Sequence, residues 1–166
     1  MFSTREKIEK LRSSHIEIAV ARHFGYRQNV IVPNVFWGLG FRHELDLLLV
    51  TQRRVCWEIE IKVSVSDLKR DVEKRHQHQD PRLARLYFAI SETLVPHISC
   101  IPESAGVLVV DSRLRLRVLR PPRIRKAKKL TDSEYLKLLE LGTMRIWTLK
   151  QTLMRQSLKS NGFKLR

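Results

Sequence analysis

Cysteine is almost missing from this chain. Cys56 and Cys100 are the only two, too far apart for a paired-ligand spacing, so neither a disulfide framework nor a zinc site is indicated and both read as small core fillers. Long apolar runs are missing too: none approaches the roughly 20 residues needed to cross a bilayer, and the opening MFSTREKIEKLRSS is polar and charged, unlike a signal segment. These lacks predict a cytoplasmic protein without membrane contact. Acid is the third scarcity. Seventeen Asp and Glu stand against 32 Lys and Arg, a net charge of +15. No acid interrupts the nine basic residues between Arg113 and Lys129, or the five from Lys150 to Arg166.

Such a basic excess is the footprint of a polyanion binder. Because phosphate contacts supply most non-specific affinity for nucleic acid, Arg113, Arg115, Arg117, Arg123, Arg125, Lys126, Lys128 and Lys129 are candidates for a groove that tracks a DNA backbone. Lys74 is a further candidate phosphate contact. For the 113 to 117 stretch the plain alternative is an ordinary wet strand edge, and for Lys74 a solvated charge.

What is present, at 43% hydrophobic and 30% charged, is the composition of a globular chain. Its 166 residues suit one domain, a core over 1–120 with a basic connector and helices over 121–166. Ser3 with Glu6, and Ser14 with Glu17, fit capping boxes, so one or two helices should fill residues 4 to 24 and stop at Gly25. A short strand from Val30 to Val32 should end at Pro33, and a turn with Gly38 and Gly40 should follow. Ser66 reads as the N-cap of a helix running to about Gln79. Strands are expected at Leu86 to Ile90, Gly106 to Val110 and Leu114 to Val118, with a short helix from Ser91 to about His97. Thr131 should cap a helix ending at Leu141, and a second helix should start after Gly142. The order implies an α/β sandwich around a mixed sheet.

The few acids are concentrated in one hairpin. From Val55 to Val63 the residues alternate strictly, with Trp57, Ile59 and Ile61 on one side and Cys56, Glu58, Glu60 and Lys62 on the other. Leu47 to Val50 are apolar on both faces, as in a strand covered on each side, so Asp46 should be largely buried. A carboxylate taken out of water needs a cation or a proton. With the turn centred on Arg53, cross-strand partners sum to 106: Asp46 faces Glu60, Glu44 faces Lys62 and Leu48 faces Glu58. Facing residues have β-carbons about 5 Å apart, close enough for Asp46 and Glu60 to share one ion. Mg²⁺ or Mn²⁺, held by Asp46, Glu60 and the Ile61 carbonyl, would keep open positions for water and a phosphate oxygen. Lys62 would then stabilise charge growing on phosphorus. Glu58, one pair further along, reads as a surface or supporting acid.

Asp46 followed by Glu60-Ile61-Lys62 resembles the motif of the PD-(D/E)XK nuclease superfamily, with Leu45 in place of the leading proline. Within it, Lys62-Val63-Ser64, Ser66-Asp67-Leu68, Asp71 and the Leu86-Tyr87-Phe88-Ala89 strand are similar to MmcB-like DNA repair proteins, over roughly residues 14 to 111. The resemblance implies a restriction-endonuclease-like fold with a basic helical C-terminal extension. It also implies Asp46 and Glu60 as metal ligands, Lys62 as the catalytic lysine and, more weakly, Glu17 as an extra acid. Otherwise Glu17 closes a capping box, Asp67 and Asp71 answer a helix dipole, and Trp37 packs in the core. His76 and His78, two apart, make a poor metal pair.

Three functions compete. One is a metal-dependent DNA endonuclease in repair or recombination. A second is a non-cleaving DNA-binding module of nuclease fold that serves a repair-protein partner. A third is a homodimeric restriction or junction-resolving endonuclease.

Overall fold

The computed structural model describes residues 10–36, 39–72 and 80–160. A single six-stranded mixed sheet organises them, in the order β1 (Val30–Val35), β2 (Leu45–Val50), β3 (Cys56–Lys62), β4 (Leu83–Ser91), β5 (Gly106–Val110) and β6 (Leu116–Arg120). β1, β2 and β3 form an antiparallel meander, β3, β4 and β5 run parallel, and β6 returns antiparallel at the edge. Parallel neighbours need long crossovers, and helix α2 (Val65–Val72) lies in the first of them.

Helices cover both faces. α1 (Ser13–His23) places Ile16, Ala19 and Val20 on one face, against Leu47, Leu49, Ile59, Ile61, Ala89 and Leu108. On the other face α3 (Asp132–Ser160) packs Leu138 and Leu141 over β1 and β2, against Val32, Val35, Leu48 and Val50. There too, Leu68 of α2 and Leu94 of a 3₁₀ segment (Glu92–Cys100) pack over Leu86, Phe88, Ile90 and Val107. Period-2 alternation thus sends Leu47 and Leu49 of β2 into one core and Leu48 and Val50 into the other, as expected of a strand buried on both sides.

Several elements differ from expectation. β1 runs through Pro33, which pairs with Leu47; an edge strand tolerates a residue without an N–H. α1 starts at Ser13, the expected helix over residues 4 to 9 lying outside the described residues, and the Arg12 amide donates to His15 Nδ1 at 3.1 Å in place of a Ser14–Glu17 box. Ser64, not Ser66, caps α2: its Oγ accepts from the Asp67 amide at 3.2 Å. The segment after β4 is 3₁₀ and runs to Cys100, with Pro96 inside it. β6 begins two residues later than expected, at Leu116. α3 passes through Gly142 without a break; that glycine lies against β1, where a β-carbon would stand 3.5 Å from Val32 Cγ2. Trp37, Lys74, His76, His78 and the Ser3–Glu6 pair lie outside the described residues, as does the side chain of Asp71.

Candidate metal and phosphate site

The register of β2 and β3 is the expected one, with Leu48 opposite Glu58 and Leu47 opposite Ile59. The ladder stops there, one pair short of Asp46 and Glu60. Beyond that point β2 remains bonded to β1 through Leu45 and Val35, while β3 remains bonded to β4 through Glu60–Phe88 and Lys62–Ile90. The sheet therefore splits between β2 and β3. In the split, the Ile61 amide donates to Asp46 Oδ2 at 2.7 Å, so a carboxylate stands where a strand carbonyl would otherwise accept.

Lys62 Nζ donates to Glu60 Oε2 at 2.9 Å and lies 3.9 Å from Asp46 Oδ2. Asp46, Glu60 and Lys62 are thus brought together at one end of the sheet. Their burial differs from expectation for Asp46, whose side chain keeps 38% of its surface exposed, against 6% for Glu60 and for Lys62. Asp46 sits at the rim of the split, and the other two sit inside it. Glu58 is corrected in the opposite sense: it is 0% exposed. Its strand is central and its face is covered, with Leu48 beside it on β2 and Leu86 on β4. Glu44 is exposed.

Crowding of acids makes the pocket electronegative. Burial first, and then the charge of Asp46, push the Glu60 carboxyl up to about 7, against the opposing pull of Lys62. Glu17, half-buried on α1, is raised by burial and by Asp46. That coupling places Glu17 within electrostatic reach of the split.

A residue that sequence reasoning missed joins the group. His43 Nε2 lies 2.6 Å from Glu58 Oε1, and its side chain is only 13% exposed. His43, Glu58 and Glu60 each offer a ligand atom, all within 4.8 Å of one another. Glu60 Oε1 is buried without a hydrogen-bond partner among the described residues. An orphaned carboxylate oxygen beside further N and O donors fits a divalent cation. Nothing in the fifteen-residue separation of His43 and Glu58 signals the pairing; it arises where the loop before β2 lies against β3, outside the strand ladder.

The basic residues divide between the two ends of the sheet. Because β3, β4 and β5 are parallel, Val110 lies at the same end as Lys62, so Arg113, Arg115 and Arg117, in and just after the β5–β6 turn, lie at the pocket end. Arg113, Arg115 and Arg117 are all exposed. The connector 121–130 crosses the opposite end, where amides of Arg123, Arg125, Lys128 and Leu130 bond to carbonyls of Ser104, Ala84, Pro81 and Arg54. Arg123, Arg125, Lys126, Lys128 and Lys129 are therefore separated from the pocket by the length of β3, on the order of 25 Å.

A family model described as DNA repair protein MmcB-like matches residues 7–147. The chain belongs to the MmcB-like family. That match extends the family likeness of this MmcB-like chain through the whole sheet and into α3. No curated protein matches it significantly. A solved structure of a protein of unknown function from Silicibacter pomeroyi aligns with a TM-score of 0.62 at 17% identity, covering 90% of this chain and 96% of that one. At that identity the likeness is one of fold.

Proposed function

We propose that the protein is a metal-dependent DNA phosphodiester hydrolase of restriction-endonuclease-like fold that acts in DNA repair. The observation that carries the reading is the convergence of Asp46, Glu60 and Lys62 at the split end of β2 and β3. Family membership supports DNA as the substrate class.

Asp46 and Glu60 would hold a Mg²⁺ or Mn²⁺ ion, with the Ile61 carbonyl as a further oxygen donor. Bound there, the ion would polarise a phosphoryl oxygen and lower the pKa of water. The chain's own groups prepare the rest. Asp46 is held by the Ile61 amide, which fixes its orientation at the rim. Lys62 reaches both acids and offers an ammonium where negative charge develops on phosphorus. Leu48, Leu86 and Phe88 flank Glu58 and Glu60 along the sheet and keep the inner pocket dry, which strengthens each charge. Arg113, Arg115 and Arg117, two to three strand spacings from β3, would grip the DNA backbone at roughly 10–15 Å from the pocket.

The test is incubation of the protein with plasmid, single-stranded and branched DNA and Mg²⁺ or Mn²⁺. Lys62→Ala and Lys62→Met serve as controls, each checked for folding by melting. Cleavage should fall by about 10²- to 10³-fold in both variants. Unchanged cutting in a folded variant would remove Lys62 from the chemistry. A second reading, a DNA clamp that does not cut, draws on the 2.9 Å bond that already engages the Lys62 ammonium with Glu60. Equal DNA binding by all three proteins with cutting by none supports the clamp.

A further inference from the structure

We infer that His43, Glu58 and Glu60 form a binding site for a divalent transition-metal ion such as Zn²⁺ or Mn²⁺, distinct in its ligands from the oxygen-only set of Asp46 and Glu60. The site stands whether or not the pocket cuts DNA. Its donors come from three places that only the fold joins: the loop before β2, and two alternate positions of β3 that point to the same side of the sheet.

Two carboxylates on a central strand are a costly arrangement. Each buried ion carries a desolvation penalty of several kcal/mol unless it is paired and hydrogen-bonded. Glu58 is 0% exposed and Glu60 nearly so, flanked by Leu48, Leu86 and Phe88. Their partners include an imidazole on Glu58 and an ammonium on Glu60. One oxygen of Glu60 is left over: its Oε1 is buried with no hydrogen bond among the described residues. A fold that buries a carboxylate oxygen in this way, 4.8 Å or less from donors of a histidine and a second glutamate, has placed a ligand set together. Metal–ligand bonds of about 2.0–2.2 Å separate neighbouring donor atoms by roughly 3–4 Å, so small side-chain rotations bring all three onto one ion.

The histidine sets the preference. Carboxylate and carbonyl oxygens suit Mg²⁺ and Mn²⁺, whereas an imidazole nitrogen favours the later transition ions and adds little for Mg²⁺. On binding, the proton shared between His43 Nε2 and Glu58 Oε1 leaves to solvent, and the ion takes its place between the two side chains.

The experiment reads binding rather than cleavage, so its failure is separate from failure of the nuclease reading. The full chain, freed of metal by a chelator, is titrated with Zn²⁺, Mn²⁺ and Mg²⁺. Bound metal per chain is measured by equilibrium dialysis and elemental analysis, and melting is followed in parallel. The wild type should bind one Zn²⁺ and melt on the order of 5 °C higher at about a hundredfold excess over Kd, because the site exists only in the folded state. Mg²⁺ at the same concentration should raise melting less than Zn²⁺ does, and an equal or larger rise with Mg²⁺ would overturn the preference set by His43. A wild type that binds no Zn²⁺, or binds it without any rise in melting, overturns the site without recourse to a variant. His43→Gln keeps a hydrogen-bond donor for Glu58 and should weaken Zn²⁺ binding more than tenfold, as should Glu58→Gln, while Asp46→Asn should retain it. Equal Zn²⁺ affinity in folded His43→Gln, or loss of binding in Asp46→Asn alone, also overturns the site.

Discussion

The β2–β3 and β5–β6 hairpins are built alike and end up opposite in character. Each joins two antiparallel strands of the same sheet, and in each the charged and apolar residues alternate on the later segment, over Cys56 to Lys62 and over Arg113 to Val118. In β3 the charged side is covered, so Glu58, Glu60 and Lys62 are buried; in β6 the charged side is open, so Arg117 stays in water. The difference is position in the sheet. β3 has neighbours on both sides and helices over both faces, whereas β6 is an edge. Alternation determines which side of a strand carries charge, and what packs on that side determines whether the charge is dry. A dry charge must be matched. β3 matches Glu60 with Lys62 and Glu58 with His43, while the exposed Arg115 at the turn before β6 pairs with Asp111 and stays solvated.

The sharpest way to break this contrast is to remove the buried cation of the pocket. Lys62→Ala leaves Glu60 without its ammonium, and in the absence of metal it should cost about 3 kcal/mol of stability, measured by urea unfolding. A divalent cation should restore part of that loss, and no restoration would argue against cation binding in the pocket. The pH dependence follows from the same crowding. The Glu60 carboxyl titrates at about 7 in the folded chain against 4.5 ordinarily, so the folded state binds the proton more tightly than the unfolded state. That stabilisation is full below about 4.5 and is lost as the pH rises through 7. Melting of the metal-free protein should therefore fall between pH 5 and pH 8, since each tenfold difference in proton affinity between the two states is worth about 1.4 kcal/mol. Glu60→Gln should flatten that slope.

At the wet hairpin, smaller effects on folding and a clear effect on DNA are expected. Replacing Arg113, Arg115 and Arg117 together with Ala should lower the slope of log affinity against log salt by roughly 2.7 on duplex DNA if each meets a phosphate. The same change at Lys126, Lys128 and Lys129 should leave cutting of short duplexes intact, since those residues lie at the far end of the sheet; equal loss from both sets would erase the division. Gly142→Ala should stabilise the chain by about 1 kcal/mol, because the helix continues through that position and its β-carbon would make only an ordinary contact with Val32. The least change is expected from Arg117→Ala alone, within about 0.5 kcal/mol by thermal unfolding.

Much of the fold was legible because local patterns carried it. The strict alternation of Cys56 to Lys62 and the two-faced apolar run of Leu47 to Val50 gave both strands, and the turn at Thr51 to Arg54 gave a register that Leu48 and Glu58 obey. That register aimed Asp46 toward Glu60 and Lys62, although the ladder ends one pair before them and the three groups meet across the split. Helix boundaries were read less well: Ser64 competed with Ser66 as a cap, and Gly142 looked like a stop because its contact with β1 is invisible in one dimension.

By itself the sequence determined the local periods, the β2–β3 register and the separation of acid from base along the chain, since each depends on neighbours within one element or one turn. Only the tertiary structure decided that Glu58 is buried, that His43 meets it, that the sheet opens beside Asp46, and that the basic residues lie at two different ends. These depend on which strand is central, which helix covers it and where a ladder stops. Such facts arise from packing between segments distant in sequence, and no spacing of residues encodes them.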